Sequence, residues 1–229
     1  MADIILNIGS SGSGKTSGLR NLPPKETLII KPSAKSLLFP GSENYILQQN
    51  MMVTDAMDIA KKVMLEVKDK FKYFVVDDLN HFFNARTTST SFIAQKEGGA
   101  AFAKWNQFAA DILQSFVIVA NSLPANAYLL ILAHTEYKED GTVGMQTSGK
   151  LLDSNLYIPG YTNFVLHSKI VGDPKDPNYI YITNSDGTHL AKSPVGCLEK
   201  TMPNDMFKVL QKIEAYKKGE STVQVKWKE

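Results

Sequence analysis

The chain has 229 residues, 43% of them hydrophobic and 21% charged, a composition that builds a folded core and excludes wholesale disorder. A chain of this length buries roughly 70–75% of its unfolded surface on folding, so it needs no disulfide or metal staple. Its one cysteine, Cys197, permits no internal disulfide, and 25 basic against 23 acidic residues leave a net charge of +2, which announces no polyanion-binding surface.

Residues 1–3 lead directly into an apolar run with no basic leader, and the longest apolar stretches, 116–120 and 128–133, fall well short of the roughly 20 residues that a membrane span needs. The expected setting is a reducing cytoplasm with no membrane association. In chain order, 4–8 and 27–31 read as buried strands. The segment 56–70 spaces Ile59, Val63 and Val67 as a helix, and 72–76 is again strand-like, closed by Asp77 and Asp78. The Ser/Thr/Gly-rich stretch 84–100 has no clear periodicity and reads as a loop. A long helix follows over 101–123, with Phe102, Trp105, Phe108, Ile112 and Phe116 on one side. Next come a strand at 128–133 and a polar, glycine-rich connection from 136 to about 160. A hairpin of 163–171 and 179–183 turns at Asp173-Pro174 and Asp176-Pro177. A helix over 204–216 and an edge strand over 222–227 end the order. Strands alternating with helices and then a β-rich end predict one α/β domain over 1–229, with a mostly parallel central sheet flanked by helices and a hairpin near the C-terminus.

The sharpest signal is Gly9-Ser10-Ser11-Gly12-Ser13-Gly14-Lys15-Thr16, which satisfies G-x-x-x-x-G-K-[ST] between a strand and an expected helix. Glycines let successive backbone N–H groups converge on phosphate oxygens, and a helix start adds the positive end of its dipole. Lys15 would reach the β- and γ-phosphates of a nucleotide, and Thr16 would ligate Mg²⁺. The bland reading is a glycine-serine turn capping a helix. Against it stands Tyr73-Phe74-Val75-Val76-Asp77, a strand of large apolar residues ending in a carboxylate, which supplies the second Mg²⁺ group of such a site. Asp78 is the expected polariser of the attacking water, with a helix cap as the alternative. No Asn/Thr-Lys-x-Asp guanine-reading motif occurs, which favours ATP. His81, His167, His189 and Cys197 show no metal-ligand spacing.

With these residues in view, the chain resembles bacteriophage-encoded RecA-like P-loop ATPases of the single-strand-annealing and recombinase class. The likeness runs from the glycine-rich loop to about Tyr216. It is carried by that loop, by Val75-Val76-Asp77-Asp78, by Trp105, by Leu130-Ile131-Leu132-Ala133-His134-Thr135-Glu136, by Ser148-Gly149-Lys150-Leu151-Leu152, by Pro159-Gly160 and by Ala191-Lys192-Ser193-Pro194-Val195-Gly196. The resemblance implies a RecA-like fold and an ATPase that acts on single-stranded DNA, assembles as a homo-oligomer and works with replication or recombination proteins in the host cytoplasm. It places His134 where such proteins sense the γ-phosphate, makes Glu136 a helper for the water, and assigns DNA contact to 136–160. In RecA-type cores a carboxylate tends to end the second strand, and here Lys31-Pro32 holds that place. Charge lends the DNA reading little: from 136 to 153 there are two lysines against four acidic residues. The more basic stretches, 61–72 and 200–228, are ordinary solvated faces as readily as docking surfaces. With Arg20 and Arg86 the only arginines, a transferred charge would come from a lysine, and Lys150 in its Ser-Gly-Lys turn is the candidate finger across a subunit interface. Two other functions fit the same loop: a nucleotide-gated accessory or helicase-loader module, and a P-loop kinase of a small molecule, which the shortage of arginine disfavours.

Overall fold

In the computed structural model, which describes residues 1–49, 55–94, 98–153, 156–220 and 223, the first apolar run forms β1 (Asp3–Gly9), with six of its seven residues buried. A strand apolar on both faces belongs in the middle of a sheet. The glycine-rich loop leaves its end and closes into a single 3-10 turn, Ser17–Leu19, in place of the expected helix. Pro23 and Pro24, which lack the N–H that a continuing helix needs, stop the coil, and the chain enters β2 (Thr27–Ile30). There follow β3 (Ile46–Gln48), α1 (Ala56–Glu66), β4 (Tyr73–Val76), α2 (Leu79–Thr87), α3 (Thr90–Ala94), α4 (Gly98–Ser122) and β5 (Tyr128–Tyr137). The remainder is β6 (Val143–Met145), α5 (Lys150–Asp153), β7 (Phe164–Asp173), β8 (Asp176–Ile182), β9 (Thr201–Pro203) and α6 (Met206–Lys217).

The sheet runs β3-β2-β4-β5-β1-β7-β8-β9, with β6 on β5. The first six strands are parallel and β8 and β9 antiparallel, so the fold is α/β with a mostly parallel nine-stranded sheet. Strands in this order bring the C-terminal ends of β4, β5 and β1 side by side, and Gly9 lies opposite His134 in register. Crevices outside the carboxyl ends of such strands are where α/β sheets take ligands. Alternate residues fill the two faces: Ile4, Leu6 and Ile8 pack with α1, α2 and α4, whereas Ile5 packs with Leu19, Leu22 and α6.

Residues 84–87, 90–94 and 98–100 are helical, contrary to the expected loop. Hydroxyls that read as loop formers are spent on the ends of the helices: Thr87 and Thr88 donate to the carbonyls of Phe83 and Asn84, and Ser89 Oγ accepts the Phe92 N–H. Burial of Phe92 edge-on against Trp105, ring centroids 4.9 Å apart, anchors α3 to α4. On α4, Phe108, Ile112, Phe116 and Val119 make the buried stripe, but Phe102 is 62% exposed, one turn beyond the reach of the core. The connection after β5 is partly ordered by pairing of β5 with β6. The expected edge strand at 222–227 lies outside the described residues, apart from Val223. No helix among the described residues is long and apolar enough to cross a membrane.

Candidate nucleotide site

The glycine-rich loop folds tightly enough that only glycine fits at its two ends. A Cβ on Gly9 would run into Ser13 Oγ and Ser168. Gly14 has φ +89°, and a Cβ there would press on Tyr179 and Asn204. Thr16 has a helical backbone conformation, and the Gly18 N–H donates to the Gly14 carbonyl at 2.8 Å. The Lys15 ammonium is buried and donates to the carbonyls of Gly9 (2.6 Å) and Ser10 (3.0 Å), the loop's own backbone. Burial pulls its pKa below the usual lysine range, and the charges of Asp78 and Asp77 oppose that fall.

Asp77 and Asp78, joined by a cis peptide, end the buried strand β4 and meet the loop from across the sheet. The Thr16 hydroxyl lies 3.2 and 3.1 Å from the two carboxylate oxygens of Asp77, so the two groups expected to share a Mg²⁺ ion are in contact. Lys31, just past β2, places its ammonium 2.9 Å from Asp77 Oδ2, and both partners of this pair are buried. Asp78 caps α2 by accepting the His81 N–H at 3.2 Å, and its Oδ2 lies 3.1 Å from His134 Nε2 and 3.9 Å from His81 Nε2. Burial works to raise the Asp78 pKa. The His134 hydrogen bond, the charges of His81 and His134 and the His81 N–H outweigh it, and the carboxyl is held below its ordinary value. His134 is fixed in turn by Asn80, whose Oδ1 accepts the His134 N–H at 2.8 Å while its amide donates to the Gln146 carbonyl. An imidazole that donates from Nε2 keeps Nδ1 as its acceptor.

These groups line one cavity of about 900 Å³, which holds Lys15, Thr16, Lys31, Asp77, Asp78 and His134. Its donor set suits a nucleotide triphosphate with Mg²⁺. Ser13 Oγ and Asn204 Nδ2 are buried polar atoms without a partner, an ammonium is satisfied only by its own loop, and the Thr16 hydroxyl with the Asp77 carboxylate offers the hard oxygens that Mg²⁺ prefers. Among the described residues no cluster of three or more His, Cys, Asp or Glu forms a metal cage, and Mg²⁺ held by one carboxylate with phosphates and water needs none.

Of the residues singled out in the sequence, Gly9 to Thr16, Asp77, Asp78 and His134 come together. Glu136 does not: β5 runs three residues past His134 into its pairing with β6, which carries Glu136 to the exposed wall of a separate cavity beside Lys138 and His189. Thr135 and Tyr137, its neighbours, instead approach the Ser10 hydroxyl at 3.1 and 3.4 Å. Lys150 begins α5, and its side chain lies outside the described residues. Arg20 braces the fold by donating to the carbonyls of Ser17 and Asn204. The sequence reading missed the parts played by Lys31, Asn80, His81, Tyr179 and Asn204. The Lys31-Pro32 departure marked the first; Asn80 and His81 follow Asp78 in the first turn of α2, and Tyr179 and Asn204 arrive through β8 and the β9–α6 corner, which leave no local pattern.

No protein-family model and no curated protein matches the sequence. Among solved structures the chain is similar to a RadB recombinase, with TM-score 0.48 and 14% identity over 79% of each chain. It is also similar to the KaiC-like protein PH0186 of Pyrococcus horikoshii OT3, with TM-score 0.44 and 10% identity over 79% of this chain and 77% of that one.

Proposed function

We propose that this chain is a RecA-like P-loop ATPase that binds ATP with Mg²⁺, hydrolyses it and acts on single-stranded DNA in recombination, annealing or replication as a homo-oligomer. The observation that carries the reading is the meeting of a glycine-rich phosphate cradle, Lys15, Thr16 and Asp77 in one cavity. The loop's N–H groups and the Lys15 ammonium, released from the Gly9 and Ser10 carbonyls, hold the phosphate tail. Thr16 and Asp77 hold Mg²⁺, which when bound neutralises charge on the phosphate oxygens. Asp78 fixes the His134 ring and, with it, orients and polarises the attacking water. Support for the DNA role comes from Tyr137 at the end of β5 and from Tyr157 and Tyr161 on the chain that follows, all more than half exposed, since exposed aromatic rings stack unpaired bases of any sequence.

Nucleotide titration and phosphate release test this together. The unaltered chain should bind ATP, Lys15→Ala should reduce that binding below detection, and turnover should rise with single-stranded DNA at fixed, moderate salt. Absence of ATP binding by the unaltered chain overturns the whole reading. Binding and turnover indifferent to DNA would remove the DNA role and leave the ATPase standing.

A further inference from the structure

Arg20 and Lys35 line the cavity but are exposed, and among the described residues Lys31 is its one buried cation outside Gly9–Thr16. Its ammonium is buried, lines the same cavity as Lys15 and His134, and is held 2.9 Å from Asp77 Oδ2. Strand order makes the geometry specific. β2 adjoins β4 on one side, whereas β1 with its loop lies beyond β5 on the other, so Lys31 and Lys15 flank the Asp77 corner from opposite sides. Both oxygens of Asp77 are engaged, by Lys31 and by the Thr16 hydroxyl, so a divalent ion held between Thr16 and Asp77 would have to enter against both contacts. An ammonium and a dication cannot share one carboxylate without strong repulsion. The displaced ammonium stays in a low-dielectric pocket, where an unpaired charge is costly. It sits on a flexible four-carbon stem, and the only strong anion delivered with the ion is the phosphate tail.

Resting on the ATPase reading above, we infer that Lys31 is the residue that reads the terminal phosphate: it holds Asp77 in the nucleotide-free chain and passes to the γ-phosphate when a triphosphate enters with its metal. Lys31 thereby supplies within one subunit the cation that a second subunit would otherwise provide, and it makes the site distinguish a triphosphate from a diphosphate. With a diphosphate bound, the ammonium has no new partner and remains on Asp77.

The test compares affinity for a non-hydrolysable ATP analogue and for ADP, each with Mg²⁺, in the unaltered chain and in Lys31→Gln, which keeps a hydrogen-bond donor for Asp77 but loses the charge. The inference expects analogue affinity to fall at least about tenfold, the worth of a hydrogen bond to a charged group, with ADP affinity unchanged. Equal losses for both nucleotides, or none for either, overturn it and leave Lys31 as an orienting partner of Asp77. If the unaltered chain binds neither nucleotide, it is the ATPase reading that fails. Should Lys31→Gln not fold, acylation of Lys31 in the unaltered chain, read by peptide mass spectrometry, decides: stronger protection by the analogue than by ADP supports the inference, and equal protection overturns it.

Discussion

Asp78 occupies a position where three demands meet: it caps α2, it binds His134, and it faces the cavity beside Asp77. Replacing it by Asn keeps a capping oxygen and a hydrogen-bonding partner for the imidazole but removes the negative charge that holds the ring. Asp78→Asn should therefore bind nucleotide within about twofold of the unaltered chain and lose at least about a hundredfold in turnover, measured by phosphate release. An unchanged rate would strip Asp78 of any part in activating water. At this scale the sequence was informative where chemistry is written in consecutive positions. Gly9 to Thr16 declare themselves by spacing, and Asp77 and Asp78 by ending an apolar strand. Lys31 was legible only as a departure, a lysine where a carboxylate was expected, and its pairing with Asp77 needed β2 beside β4. Glu136 was misplaced because no feature of Thr135-Glu136-Tyr137 announces that β5 continues into a second pairing.

Among the elements, α3 shows why residues 84–100 read as loop. Five residues of Thr, Ser, Phe, Ile and Ala are too few for periodicity to register and too short to be stable alone. What holds α3 is one ring: Phe92 is buried against Trp105 and Phe108, and the Lys104 ammonium lies over its face. Phe92→Ala should cost about 3–5 kcal/mol in denaturant unfolding, the usual loss for a truncated core aromatic, whereas Phe102→Ala on the exposed side of α4 should cost next to nothing. The phosphate loop illustrates the opposite failure. Its pattern predicts a following helix, but Pro23 and Pro24 allow only the turn Ser17–Leu19. The central strands β1, β2 and β4 are legible because each is a near-continuous apolar run, which burial on both faces requires, whereas the three-residue β3, β6 and β9 carry no such run and are not expected from the sequence.

On the scale of the whole molecule, acid sensitivity should concentrate at His167 on β7. It lies opposite Ile8 in register and is buried with its ring centroid 5.0 Å from that of His189, which Asp186 and Lys169 hold from either side. Burial, then the charges of His189 and Lys169, lower its pKa from 6.5 to about 4, with Asp186 opposing and Lys15 adding to the fall. The folded chain then binds fewer protons than the unfolded one between those values, so the stabilisation is complete above pH 6.5 and is lost progressively as pH falls toward 4. His167→Gln should flatten the slope of melting temperature against pH in that window, and an unaltered slope would assign the sensitivity to other groups. The cradle at Gly14 is backed by Tyr179 and Asn204, residues some 165 to 190 positions further along the chain. A fragment that stops short of Tyr179 would therefore keep the whole Gly9–Thr16 pattern yet lack the side chains that back it, so the shape of the cradle belongs to the assembled sheet and not to the loop alone.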